Sequence, residues 1–129
     1  MKRVLVCDDD TTISELVALV LTDAGWTVYT LPDCDNMIQK IESIKPSIIF
    51  MDNKIPKEGG IVATKEIKSH SEYQNIPVIY FTAHSDINEL AQEAGADLIL
   101  QKPFGLKDLE AVVNEAFNKF ADKKTGDFL

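Results

Sequence analysis

Ile48-Ile49-Phe50-Met51-Asp52 is a run of four apolar residues into one carboxylate, followed by Asn53-Lys54-Ile55-Pro56 and then Gly59-Gly60. A short continuous apolar run bounded by turn residues predicts a strand buried on both faces, as the inner strands of a parallel sheet are. A charged residue at the end of such a strand does not belong in its core. Its place is the carboxyl edge of the sheet, where open α/β folds gather their ligands.

The same logic extends outward in both directions. Residues 2–7 predict a first strand ending in Asp8-Asp9-Asp10, and Trp26 to Thr30 a second, half-exposed one. Pro77 to Phe81 predict a fourth, ending in Thr82-Ala83, and Leu98 to Gln101 a fifth, ending in Lys102-Pro103. Helical patterns lie between them. Thr12-Ile13-Ser14-Glu15 has the capping-box form, with Ile13, Leu16, Val17, Val20, Leu21 and Ala24 at helical spacing up to Gly25. A second helix is predicted from Pro32-Asp33 to Lys45-Pro46, with Met37, Ile38 and Ile41 inward. A third runs from Gly60 to Ser69 with Ile61, Val62 and Ile67 inward, and a fourth is capped by Ser85 and ended by Gly95. The last spans Leu106 to about Phe120. Strict alternation implies a parallel sheet with helices on both faces. Five strands suit the order 2-1-3-4-5, a flavodoxin-like three-layer (βα)5 fold. The expected division is one domain over residues 1–121 and a polar tail over 122–129 with no output domain.

The net charge of −8 argues against direct contact with nucleic acid or an anionic membrane, since such contact uses basic patches. Met1-Lys2-Arg3 leads into only a short apolar run, unlike a signal peptide, and no run reaches the ~20 apolar residues of a membrane span. Cys7 and Cys34 make no metal or redox spacing and read as buried or half-buried thiols of a reducing, cytoplasmic setting.

In a 2-1-3-4-5 sheet, strands one, three, four and five are neighbours. Their ends bring together Asp8 and Asp9 (with Asp10 behind), Asp52, Thr82 and Lys102. Three carboxylates repel unless a cation or a proton joins them. The donors are oxygens alone, which suits Mg²⁺ (or Mn²⁺) awaiting a phosphate. Lys102 and Thr82 add a charge and a hydroxyl fit to hold a phosphoryl group, and a carboxylate among them is chemically able to become an aspartyl phosphate.

Four motifs carry a resemblance. They are Val-Leu-Val-Cys-Asp-Asp-Asp from Val4, Ile-Ile-Phe-Met-Asp-x-x-x-Pro-x-x-x-Gly from Ile48, Val-Ile-Tyr-Phe-Thr-Ala from Val78, and Gly-Ala-Asp-x-x-x-x-Lys-Pro-Phe from Gly95. In this order and spacing the chain resembles the receiver domains of response regulators in two-component signalling, and is similar to the single-domain chemotaxis-type regulators. The resemblance implies that Asp52 is the phosphoacceptor. It implies that Asp9 directly, Asp8 through water, Asp52 and the backbone carbonyl of Lys54 hold the metal. Thr82 matches the hydroxyl that moves toward the phosphoryl group, Ala83 the small residue beside it, and Lys102 the charge that pairs with Asp52 and then with phosphate. The Lys102-Pro103 bond matches one that is often cis. Ile99 stands at the switch position, commonly Tyr or Phe, and Lys54 and His84 at the two positions that modulate phosphoryl lifetime.

The partners implied are a histidine kinase or phosphotransfer protein (or a small acyl-phosphate donor) and a downstream protein reading the face of the fourth helix, fifth strand and fifth helix. Direct nucleic-acid or membrane binding is not expected. Asp108, Glu110, Val112, Asn114 and Glu115 on the last helix do not suit a basic dimer face, so a monomer or a weak phosphorylation-dependent dimer is expected. Such a switch is not a turnover enzyme and catalyses only its own phosphorylation and dephosphorylation. The rival is a haloacid-dehalogenase-like phosphatase, with Asp8 as nucleophile and Asp10 as acid/base in Asp8-Asp9-Asp10-Thr11-Thr12. Against it, a helix rather than an acidic strand end follows Lys102, and Asp52 would have no task. A flavin-binding protein of the same fold would need a hydroxyl-rich phosphate loop where three acids stand. Asp97, Asp108 and Asp122 are expected as surface acids, Asp10 as a loop acid or helix start, and Trp26 as a cover on the sheet edge.

Overall fold

In the computed structural model, residues 2–33, 35–52, 59–83 and 85–126 are described, with side chains through Asn118. The elements alternate in chain order: β1 (Arg3–Cys7), α1 (Thr11–Asp23), β2 (Thr27–Leu31), α2 (Met37–Ile44), β3 (Ile48–Asp52), α3 (Gly59–Ser69), β4 (Val78–Thr82), α4 (Ile87–Ala94), β5 (Leu98–Gln101) and α5 (Leu106–Gly126). The strands form one sheet in the order β2-β1-β3-β4-β5, every pairing parallel. No helix among the described residues is long and apolar enough to cross a membrane.

The period of two along each strand divides the core. Leu5, Cys7, Ile49, Met51, Val78 and Tyr80 face α2, α3 and α4, against Met37, Ile41, Ala63, Ile67, Ile87 and Ala91. Val4, Val6, Ile48, Phe50, Ile79, Phe81 and Leu100 face α1 and α5, against Val17, Leu21, Leu109, Val113 and Ala116. Each apolar residue of β3 is fully buried and contributes roughly 1.5–3 kcal/mol. That total is ample to carry Asp52, at the strand's end, into a place only 4% exposed. Trp26 belongs to the second layer, its ring meeting Phe117 edge-on at 5.3 Å.

Several helix boundaries differ from the sequence expectation. Asp10, not Thr12, is the N-cap of α1, its carboxylate accepting from Thr12 N–H at 3.0 Å and Ile13 N–H at 3.3 Å. Aspartate satisfies orphan amide groups at least as well as threonine does. Asp33 accepts the Asp35 N–H at 2.9 Å, a turn that competes with helix, so α2 begins only at Met37. Asp86, not Ser85, stands at the N-cap of α4. Beyond Phe120, Ala-Asp-Lys-Lys-Thr holds no breaker, and α5 continues to Gly126. Leu16 and Val62, expected inward, are 43% and 48% exposed. In α3 it is Ala63, Thr64 and Ile67 that face the core.

Asp97 is not a free surface acid. Lys68 forms an ion pair with it and donates to the carbonyls of Gln74 at 3.0 Å and Ile76 at 2.8 Å. Asp97 Oδ2 also accepts the Val78 N–H at 2.8 Å. This clip ties the end of α3 to the starts of β4 and β5, far from the carboxyl edge. Replacing Asp97 by Ala takes the counter-charge from a half-buried ammonium, which keeps its two carbonyl acceptors, and the acceptor from the Val78 amide. The expected loss is about 2–3 kcal/mol in urea denaturation.

Candidate functional site

The sheet register builds the site. Asp52 lies opposite Phe81 on β4, and Asp8 follows Cys7, which lies opposite Met51 on β3. Asp8, Asp52 and Phe81 therefore form a row across three neighbouring strand ends. By the period of two they sit on the α1/α5 side of the sheet. Lys102, two residues past Leu100 on β5, shares that side. Its backbone N–H donates to the Thr82 carbonyl at 2.9 Å, which pins the start of the next loop to the end of β4. The Lys102–Pro103 peptide is cis.

Asp8 and Asp52 are 3% and 4% exposed, whereas Asp9 is exposed. One carboxylate oxygen from each of the three lies within 4.8 Å of the others. Like charges at this separation repel strongly at low dielectric. Lys102 offsets part of that repulsion, its ammonium donating to Asp8 Oδ2 at 2.7 Å and to Asp52 Oδ1 at 3.3 Å. Asp8 is held at its other oxygen too, since Oδ1 accepts the Asp10 N–H at 2.9 Å. The hydroxyl of buried Ser14 donates to the Asp8 carbonyl at 3.4 Å.

Three carboxylates against one ammonium leave a negative excess, the donors are hard oxygens, and their spread is about the width of a cation's ligand shell. The set fits a divalent cation such as Mg²⁺. Thr82 closes β4 and is 1% exposed, with Ala83 exposed beside it. Ile99 is 39% exposed on β5. Lys54 and His84, expected to flank the site, lie outside the described residues, as does Cys34; Cys7 is a buried thiol.

The acid/base task of Asp10 under the hydrolase alternative conflicts with what its carboxylate does. It caps α1. Asp10→Ala is expected to cost about 1 kcal/mol of stability and, because only the side chain is lost, to leave the Asp10 N–H on Asp8 and any phosphoryl labelling intact. Labelling lost with Asp10→Ala in a folded protein would restore the hydrolase.

Two features escaped the sequence reading. Ser14 looked like part of a capping box, and Phe81 like one more core residue of an apolar strand. Nothing in a linear pattern marks a ring that sits beneath an ammonium: the Lys102 Nζ lies 4.6 Å from the centroid of the Phe81 ring.

Residues 4–114 match the family described as "Response regulator receiver domain". The phosphate regulon transcriptional regulatory protein PhoB of Escherichia coli (strain K12) is 30% identical over 122 residues, covering 93% of this chain and 53% of PhoB. The DNA-binding response regulator MtrA of Mycobacterium leprae (strain TN) is 27% identical, covering 95% of this chain and 54% of MtrA. Among solved structures, a putative response regulator from Chloroflexus aurantiacus J-10-fl superimposes with a TM-score of 0.85 at 29% identity, covering 91% of this chain and 98% of that one. The chain thus spans about half the length of these curated relatives.

Their names overturn the partner set read from the sequence, which excluded nucleic acid. One relative is named a transcriptional regulator and the other a DNA-binding protein. The physical reason is that a net charge of −8 describes these residues alone. In these relatives the matching stretch is about half of the protein, and its charge does not report on what the rest touches.

Proposed function

We propose, for a chain that belongs to the response regulator receiver domain family and so to phosphorylation-dependent two-component signalling, that Asp52 is its phosphoacceptor. The observation that supports this is the ammonium of Lys102 lying between two buried carboxylates, Asp8 and Asp52, at the carboxyl edge of the sheet. A histidine kinase, or a small acyl-phosphate donor, presents its phosphoryl group in line with an Asp52 oxygen. That oxygen attacks phosphorus, the donor's bond to phosphorus breaks, and a mixed anhydride forms. Attack of water on the same phosphorus later releases inorganic phosphate and restores the carboxylate.

Asp9, Asp8 and Asp52, with the Lys54 carbonyl, are the groups to hold Mg²⁺, which when bound neutralises charge on the phosphoryl oxygens. Lys102 exchanges its Asp52 contact for a phosphoryl oxygen. Thr82 donates its hydroxyl to another, and its displacement biases the face of α4, β5 and α5 that a downstream partner reads. Ile99 supplies no ring to that movement, so the coupling is through aliphatic packing. For a whole protein of the relatives' length, output directed at DNA is the corresponding reading.

The test is incubation with Mg²⁺ and acetyl phosphate, reduction of any acyl phosphate with borohydride, and peptide mass spectrometry. Labelling at Asp52 that disappears without Mg²⁺ is expected. Labelling at Asp8 would instead favour the hydrolase, and none at all would remove the small-donor route.

A further inference from the structure

A lysine holds an ammonium at one point with difficulty, because its four-carbon stem is flexible and rotates through many conformers. Yet Lys102 is asked to serve two acceptors. It is drawn harder to Asp8, at 2.7 Å, than to Asp52, at 3.3 Å. Something has to keep it within reach of the second. We propose that Phe81 is a positioning residue for Lys102, seating its ammonium on the face of the ring between Asp8 and Asp52; this rests on the role of Lys102 in phosphoryl binding given above.

Three observations carry it. The ammonium lies over the ring 4.6 Å from its centroid, well inside the ~6 Å range over which the ring quadrupole attracts a cation. The ring itself is fixed: Phe81 is fully buried and meets Phe50 edge-on, centroids 5.4 Å apart and planes at 75°. Finally, the register sets Phe81 beside Asp52 on the same side of the sheet, so the ring lies along the path by which Lys102 reaches the carboxylates. The Lys102 side chain is only 14% exposed, and such attraction strengthens as water is excluded.

The ring also does what a further acid in its place would not. It attracts the ammonium without a negative charge, so it does not repel an incoming phosphoryl group. A leucine would wall the same space but exert no pull. That difference separates positioning from packing.

The experiment compares the full chain with Phe81→Leu and with a fluorinated phenylalanine at position 81, which keeps the shape of the ring while withdrawing its negative face. Each is made with Lys102 and with Lys102→Met. Proton shifts of the Lys102 ε-methylene are read in metal-free protein, and the labelling rate with acetyl phosphate and Mg²⁺ is read separately. Expected are upfield ring-current shifts that vanish in Phe81→Leu, and labelling slowed about tenfold by Phe81→Leu. The fluorinated ring should lie between, at unchanged melting temperature, and Phe81→Leu should add nothing once Lys102 is Met. Unshifted methylene protons, an unchanged rate in both altered rings, or an equal loss in the Lys102→Met background would each overturn the proposal. If Lys102→Met alone labels as fast as the unaltered chain, the role of Lys102 fails instead, and the proposal falls with it even where the ring-current shift persists.

Discussion

Asp52→Asn is expected to abolish labelling by acetyl phosphate while leaving the protein at least as stable as before. An amide oxygen is a poor nucleophile and does not form the acyl phosphate, so the rate should fall by on the order of a thousandfold, about 4 kcal/mol of barrier. The fold is not at risk, because Asn fills the same volume and the Lys102–Asp8 contact at 2.7 Å is retained. Removing one of three carboxylates whose oxygens lie within 4.8 Å relieves repulsion. Urea denaturation in metal-free buffer is expected to show no loss and a gain of up to about 1 kcal/mol. Borohydride trapping with peptide mass spectrometry measures the first effect. Undiminished labelling of the variant would dismiss Asp52 as the acceptor.

The second large effect belongs to Lys102. Its replacement by Met leaves Asp8 and Asp52, both nearly fully buried, facing each other without the ammonium between them. Breaking a buried pair by removing one partner costs roughly 3–5 kcal/mol. Asp8 keeps its bond from the Asp10 N–H, so about 3 kcal/mol is expected here. The same substitution removes the charge proposed to receive a phosphoryl oxygen, and labelling should slow by about a hundredfold. The stability loss has a signature of its own. Millimolar Mg²⁺ should stabilise Lys102→Met more than the unaltered protein, since a cation at the acids restores the missing counter-charge. Equal stabilisation of both proteins in urea denaturation would mean that Lys102 and the metal do not share these carboxylates.

The layout of the sheet was legible because its signals are periodic. A run such as Ile48 to Met51 buries both faces of a strand, and three such runs with two half-exposed strands, all separated by helical spacing, leave little besides a parallel sheet in one order. The acids and the lysine at the strand ends were legible because a charge terminating an apolar run contradicts the core and demands another task. Less legible were features in which one local pattern competes with another. Thr12 and Asp10 both offer a cap, and the main chain takes the one whose carboxylate reaches two amide groups. Leu16 has helical spacing but lies on the solvent side of α1, because the angle at which a helix docks is set by its neighbours. Asp97 looks like any polar residue before a strand, and its contact with Lys68 joins positions far apart in the chain.

By itself, then, the sequence determined the strand order and the kinds of groups at the carboxyl edge: three acids, a hydroxyl and a lysine. Those follow from hydrophobic period and chain order, which are local properties. Only the tertiary structure decided how the groups share charge. Lys102 stands nearer Asp8 than Asp52, and its ammonium rests on Phe81. These distances depend on parallel register and on the Phe50–Phe81 contact. Such relations between residues on different strands, far apart in the chain, arise only when the strands have packed side by side.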